Sequence, residues 1–286
     1  MVDLAAATDF LTTHGRVLDR RRLELLLGRG DAGGVLAALA AYGNADGGYG
    51  WGLEPDLRVP GSQPAGALHA FEALAEAGGG DAATVAALCD WLDHVSLPDG
   101  ALPFALPDDF PAGFSGPWRG VDPHASSLHI TAAVCEQAHR MPAAAGHPWL
   151  DRATAFCLAA IRAQDEPGGS YELKFSLGLL DALGARDDLE RLARHLPRSG
   201  VRGVAGGIEG EALRPLDFSP RPDRPLRALL APEAIETDLD RLASGQRDDG
   251  GWTVDFQPGS PAAALEWRGV FTVEAIATLR ANGRLG

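Results

Sequence analysis

Two acidic residues and an indole stand close together in the string Gly50-Trp51-Gly52-Leu53-Glu54-Pro55-Asp56-Leu57-Arg58. Glu54 and Asp56 are two positions apart on a segment punctuated by glycine and proline, a preset arrangement that suits general acid/base work. The same residues have a plainer use, because Asp56 can pair with Arg58 or cap the turn. A second set lies near the other end, where Asp255 precedes Ala264-Leu265-Glu266-Trp267-Arg268. Glu266 interrupts an apolar stretch, and core helices rarely bury a glutamate without a partner. Either it faces a polar cavity or an arginine such as Arg268 or Arg119 satisfies it. The candidate catalytic residues are therefore Asp56, Glu54, Glu266 and Asp255. Candidate substrate contacts are Trp51, Tyr49, Trp118, His124, His129, Tyr171, Trp252 and Trp267.

His124 and His129 are five apart, poor spacing for two ligands on one helix face. Joined with Asp56 or Glu54 they would make only a weak zinc set, so no metal and no cofactor is assigned; magnesium and zinc lack a supporting motif. His69 and His139 are expected at the surface or between helices. Lys174, the only lysine, could pair with Glu172 or point inward.

The elements that must position these residues repeat along the chain. Gln246-Arg247-Asp248-Asp249-Gly250-Gly251-Trp252 follows one helical run and precedes Asp255 and another. Asn44-Ala45-Asp46-Gly47-Gly48-Tyr49-Gly50-Trp51 does the same before Glu54 and Asp56. Pro98-Asp99-Gly100 is a weaker copy, and Gly168-Gly169-Ser170-Tyr171 a degraded one. Self-similarity of this kind points to a stacked helix-turn-helix unit. Gly-Gly permits positive φ where a helix stops, and Asp before Gly favours a turn by bonding its own backbone. Helices are expected over residues 63–77, 124–138, 148–163, 171–183 and 261–279, with Ser62 and Asp81 as N-caps. Residues 103–123 form a long Pro/Gly/aromatic loop, a length that is often functional. Residues 203–225 form a second Gly/Pro/Arg-rich excursion. No sustained period-2 alternation appears, so the chain reads as nearly all helical.

With 45% hydrophobic residues in a chain of 286, and a repeat reaching both ends, a single domain over residues 1–286 is expected. The net charge of −14 disfavours nucleic acid and anionic membrane surfaces. Arg20-Arg21-Arg22 reads as a solvated helix face. Cys89, Cys135 and Cys157 are isolated, without CxxC or zinc-finger spacing, and read as small buried hydrophobes. Residues 1–27 hold no apolar core of signal-peptide type, and no run of 18 apolar residues occurs. A reducing cytoplasm is the expected location and no membrane span is expected. Oligomeric state is not legible.

Gln246, Gly250 and Trp252 match the Gln-x3-Gly-x-Trp repeat of the terpene cyclase and protein prenyltransferase superfamily, which the chain resembles. Asn44, Gly47 and Tyr49 fit with one residue too few, and Gln164, Gly168 and Tyr171 with one too many. The resemblance implies an all-α fold, an α/α toroid of about ten to twelve helices with Gly-rich turns and an axial cavity. It implies inner helices over residues 63–77, 124–138, 171–183 and 261–279. The superfamily's Asp-x-Asp-Asp, Asp-Asp-x-x-Asp and Asp/Cys/His zinc motifs are absent. Asp238-Leu239-Asp240 falls before the turn, on an expected outer helix facing solvent. What remains is a terpene-cyclase-like reading: a carboxylic acid, Asp56 or Glu54, protonates an apolar isoprenoid-type small molecule while Trp51, Trp252, Trp267 and Trp118 stabilise the cation. The alternative is a non-catalytic or carbohydrate-binding or -processing toroid with an acidic, tryptophan-lined cleft.

Overall fold

The computed structural model describes residues 2–285, and among them the chain is all-helical, with twelve α-helices and one two-residue hairpin. In chain order these are α1 (Leu4–His14), α2 (Val17–Leu26), α3 (Ala32–Leu39), α4 (Pro64–Glu76), α5 (Ala82–Val95) and α6 (Leu128–Ala138). They continue as α7 (Pro148–Ala163), α8 (Ser170–Leu183), α9 (Arg186–Ala193), α10 (Pro215–Phe218), α11 (Pro232–Ser244) and α12 (Pro261–Ala281). The hairpin strands β1 (Arg202–Gly203) and β2 (Ala212–Leu213) lie inside the Gly/Pro/Arg-rich excursion. No helix among the described residues is long and apolar enough to cross a membrane.

The chain divides into two compact units. One consists of Asp31–Pro167; the other takes everything up to Gly30 and from Gly168 onward. In the first unit α4 packs against α3, α5 and α6, and α7 against α5 and α6. Helices α4 and α6 are buried on almost every side, from Pro64 to Leu74 and from Leu128 to Ala138. Helix α7 buries only a stripe, Trp149, Leu150, Ala153, Cys157 and Ile161, the spacing of a helix with one wet face. In the second unit Phe10, Leu11, Leu23, Ile235, Leu239, Trp252, Ile276 and Leu279 form the core where α1, α2, α11 and α12 meet.

The repeated turn is a defined joint, present three times. Residues 44–48, 97–101 and 247–251 each close with the same backbone pair: Asn44 N to Gly48 O at 2.9 Å, Leu97 N to Ala101 O at 2.8 Å, Arg247 N to Gly251 O at 2.9 Å. In each, an aspartate carboxylate (Asp46, Asp99, Asp249) accepts the amide two residues on. The central glycines hold φ of +91° at Gly47, +89° at Gly100 and +90° at Gly250. A Cβ there would collide with a neighbouring helix carbonyl, of Ala87 in α5, Arg152 in α7 and Ala6 in α1 respectively. Two facts thus demand glycine at once, the left-handed backbone and the close approach.

The residue after each joint ties it to the helix that follows. Leu102 N donates to Thr131 Oγ1 of α6 at 2.9 Å, and Trp252 N to Thr272 Oγ1 of α12 at 3.0 Å. Both threonines are fully buried. In the first copy Tyr49 O accepts Gln63 N at 2.9 Å, at the start of α4. Residues 168–171 lack this geometry: Gly168 N donates instead to the Glu172 carboxylate, and Gly169 is extended with φ of 164°.

Several expectations change in detail. Helix α6 begins at Leu128, with Ser127 as its cap, so His124 stands outside it. Gln63, not Ser62, occupies the N-cap of α4; the Ser62 hydroxyl serves the joint by donating to Asp46 at 2.8 Å. Arg22 is not solvated but turns inward beside fully buried Asp19, which also pairs with Arg16 at 2.8 Å. Asp238 does not face solvent either. It is buried, accepts Leu216 N at 2.9 Å, and pairs with Arg241 at 2.7 Å, which seats α10 on α11. The three cysteines are buried as expected. Burial, and secondarily Asp90 and Cys135, push the Cys89 thiol up to about 12; burial and Cys135 also hold the Cys157 thiol well above its ordinary value.

Candidate functional site

In the Asp31–Pro167 unit, the loop after the first joint carries Trp51, Glu54 and Asp56. Trp51 holds φ of +57°, a conformation that costs a residue with a side chain about 1–3 kcal/mol and is retained only where the surroundings enforce it. The enforcement is visible. Its amide donates to Val59 O at 2.8 Å and its indole Nε1 to Asn44 Oδ1 at 2.8 Å. Asn44 in turn donates to Pro60 O and Ser62 Oγ. The indole itself is 58% exposed.

Glu54 is buried, and its two oxygens have different partners. Oε1 accepts the Asp56 amide at 3.0 Å, and Oε2 meets His69 Nε2 at 2.8 Å. The other ring nitrogen of His69 meets Glu72 Oε2 at 2.8 Å, one turn along α4. Burial alone would lower the pKa of this imidazole. The Glu72 charge and the hydrogen bonds to Glu54 and Glu72 more than offset it and push the pKa up to about 10. At neutral pH the ring is therefore a cation donating from both nitrogens. His69 is a bridge from loop to helix and not a surface residue. Asp56 is partly exposed, and its carbonyl accepts from the Ser115 hydroxyl at 2.5 Å and amide at 3.2 Å, anchoring the 103–123 segment.

That segment is held from below by Gln63, whose side chain donates to Leu106 O and accepts Leu106 N at 2.8 Å. Trp118 is buried and stacks on Phe104 at 4.4 Å, and Phe104 meets the His129 ring at 5.2 Å. His124 is exposed, its amide turned to Asp122. His124, His129, Glu54 and Asp56 do not converge: no group of three or more His, Cys, Asp or Glu among the described residues could hold a metal ion.

The other unit brings together a different set. Tyr171 and Lys174 lie one turn apart at the start of α8. The Tyr171 hydroxyl donates to Glu211 Oε1 at 3.3 Å, just before β2. Ser170 Oγ donates to Gly203 O at 2.7 Å, pinning the hairpin to the same helix end. After β2, Arg214 N donates to Asp217 Oδ2 at 2.7 Å, and the Arg214 guanidinium pairs with Asp255. Burial pushes the Asp217 carboxyl above the usual range; Lys174 and the Arg214 amide pull it down, and Asp238 and Asp255 add to the rise. Burial and then Glu211, with smaller pushes from Asp255 and Asp217, hold the Tyr171 phenol well above its ordinary value. Lys174 has no ion pair among the described residues and lies 5.3 Å over the Phe175 ring.

Of the residues singled out in the sequence, Tyr171 and Asp255 fall in this cluster, while Asp217, Glu211 and Arg214 are not among those singled out. They lie in the Gly/Pro/Arg-rich excursion, which carries no periodic signal; only the Pro215-Leu216-Asp217-Phe218 string, with proline at a helix start, marks the spot. Glu266 is partly exposed on α12. Trp267 packs edge-on with Phe256 at 5.3 Å and Phe271 at 6.1 Å, a trio that adjoins Asp255 in sequence. Trp252 is buried with Nε1 on Leu242 O at 2.8 Å, and Tyr49 is buried after the first joint. Arg268 does not answer Glu266. It grips Asp249 through both carboxylate oxygens at 2.7 and 2.8 Å, donates to Trp252 O, and lies over the Phe10 ring.

The chain matches no protein-family model, and no curated protein matches it significantly.

Proposed function

We propose that the protein is an acid/base enzyme on an α/α toroid of the terpene cyclase and prenyltransferase type, acting on an apolar isoprenoid-type small molecule. The supporting observation is the Asp217 carboxyl, which burial, with Asp238 and Asp255, raises above its ordinary range against the pull of Lys174 and the Arg214 amide. A proton donor working near neutral pH needs that displacement. Of the two acids the sequence offers, Asp56 and Glu54, Glu54 spends its oxygens on His69 and the Asp56 amide. The three equivalent joints favour the toroid scaffold.

In this reading the Asp217 proton passes to an alkene carbon or an epoxide oxygen, leaving a carbocation. Phe256, which adjoins Asp255 in sequence, and its ring partners Trp267 and Phe271 would supply the aromatic faces that stabilise it. Glu211 then takes a proton from the adjacent carbon, an alkene re-forms, and the proton on Glu211 returns through water to the Asp217 carboxylate, so both groups end as they began. No metal or cofactor is assigned a step.

A second reading is carbohydrate binding or processing. It is favoured by the density of hydrogen-bonding groups in the same cluster, where Tyr171 meets Glu211, and Arg214 meets Asp217 and Asp255. Incubation with prenyl diphosphates and squalene-like polyenes, with and without magnesium, is expected to give turnover that Asp217→Asn abolishes. A panel inert to these but binding or cleaving oligosaccharides replaces the first reading with the second. Inertness to both leaves a scaffold.

A further inference from the structure

The 103–123 segment lines an open hollow of about 640 Å³ that uses no residue of the acid/base cluster. Pockets for small organic molecules span roughly 300–1,000 Å³ and are mostly apolar with a few placed polar groups. Pro107, Pro111, Phe114, Trp118 and Val121 form most of this wall, and one cation, Arg119, stands among them. The floor is fixed. Trp118 is braced by its stack on Phe104, Leu106 is clamped by Gln63, and Arg58 N donates to Gly113 O at 2.8 Å.

The charges on the wall are unequal in what they have left to give. Asp108 is committed: Oδ2 accepts Gly61 N at 2.9 Å and Oδ1 accepts Phe110 N at 2.8 Å. Asp122, one residue from the wall at Val121 and Pro123, is exposed and accepts His124 N. Arg119 uses only Nε, donating to Phe114 O at 2.6 Å. That bond fixes the guanidinium plane and leaves both Nη groups without a protein partner among the described residues. A guanidinium so oriented presents the fork that a carboxylate accepts with both oxygens.

We propose that this hollow binds a free small molecule with an apolar chain or ring system and one terminal carboxylate, the body against Trp118 and Phe114 and the carboxylate on Arg119. Dodecanoate, dodecanol and dodecylammonium, each kept below its micelle threshold, separate the contributions of body and end group. Calorimetric titration of the full chain is expected to give saturable one-to-one binding of dodecanoate with a negative heat-capacity change, the mark of apolar burial. Its affinity should exceed that of dodecanol by about ten-fold, the scale of one charge-assisted hydrogen bond. Arg119→Met should bring dodecanoate down to the dodecanol level and leave dodecanol unchanged. Ala112→Phe, which fills the hollow from its rim, should weaken both, with circular dichroism checking that each variant folds. No binding by any of the three, tightest binding by dodecylammonium, parity of dodecanol with dodecanoate, or an Arg119→Met variant that holds dodecanoate as before would each overturn the proposal. Binding only to vesicles of phosphatidylglycerol would overturn it too, because it would make the surface a lipid contact.

Discussion

The two acidic constellations differ in how their charges are matched. Around His69, two carboxylates flank one imidazolium, with 2.8 Å contacts on both sides. Around Tyr171, three carboxyl groups face one arginine, one lysine without an ion pair and a phenol, and one of the carboxyls is held off its ordinary titration. The first arrangement satisfies each member and fastens a loop to a helix. The second leaves one carboxyl, Asp217, displaced upward from its ordinary titration. Proximity of acids to an indole, which draws attention to Glu54 in the sequence, therefore does not show how a carboxylate is held; the counter-charge does.

The sharpest way to break this contrast is Asp217→Asn. Removing a general acid costs about 10²–10⁴-fold in rate, while the folded state should hold or gain stability at neutral pH. The sign follows from the raised carboxyl: its folded form resists ionising, so its contribution to stability falls as pH rises through the folded pKa, and asparagine removes that fall. A variant that loses activity and stability together would move Asp217 into the fastening class.

His69→Gln should show the opposite profile. It leaves buried Glu54 without its cation, a loss of about 3–5 kcal/mol in denaturant unfolding. Because the folded pKa is raised from 6.5 to about 10, the His69 contribution is complete below 6.5 and disappears as pH climbs toward 10. The gap between wild type and variant should narrow over that window; a gap independent of pH would refute the bridge.

How far could these assignments be read from the chain alone? The all-helical class, the two Gly-Gly joints and the Pro98-Asp99-Gly100 copy were legible, because turn chemistry is local and glycine at a left-handed position leaves a direct mark. Helix α7 was legible to its last residue, since Pro148 opens it and its apolar stripe is regular. His69 was not, because its partner Glu54 is 15 residues away and nothing in either string announces the pairing. Asp217 was hidden for a related reason: its environment is assembled from α8, the hairpin and the segment before α12, with 41 residues separating Arg214 from Asp255 alone. Asp238 was misplaced because an aspartate on a helix defaults to solvent unless a neighbouring backbone amide, here that of Leu216, takes it inward.

Two smaller effects sharpen the comparison. Gly250→Ala should destabilise the unit built from both chain ends by about 3 kcal/mol, through left-handed strain and collision with the Ala6 carbonyl, measured as a shift in the urea midpoint. Lys174→Met should change stability by no more than about 0.5 kcal/mol, because no ion pair is lost. It should nonetheless move the Asp217 titration upward in carboxyl-detected NMR, since Lys174 pulls that group down. An unmoved Asp217 would separate the lysine from the cluster.

The burial of Cys89, Cys135 and Cys157 also has a practical reach. With all three sulfurs enclosed, and those of Cys89 and Cys157 reluctant to ionise, maleimides and other electrophilic dyes find almost nothing to attack while the fold persists. The native background is already silent, so one engineered sulfhydryl at an exposed position such as Ala112 would carry a fluorophore alone, and reaction of the other three would time the opening of the core.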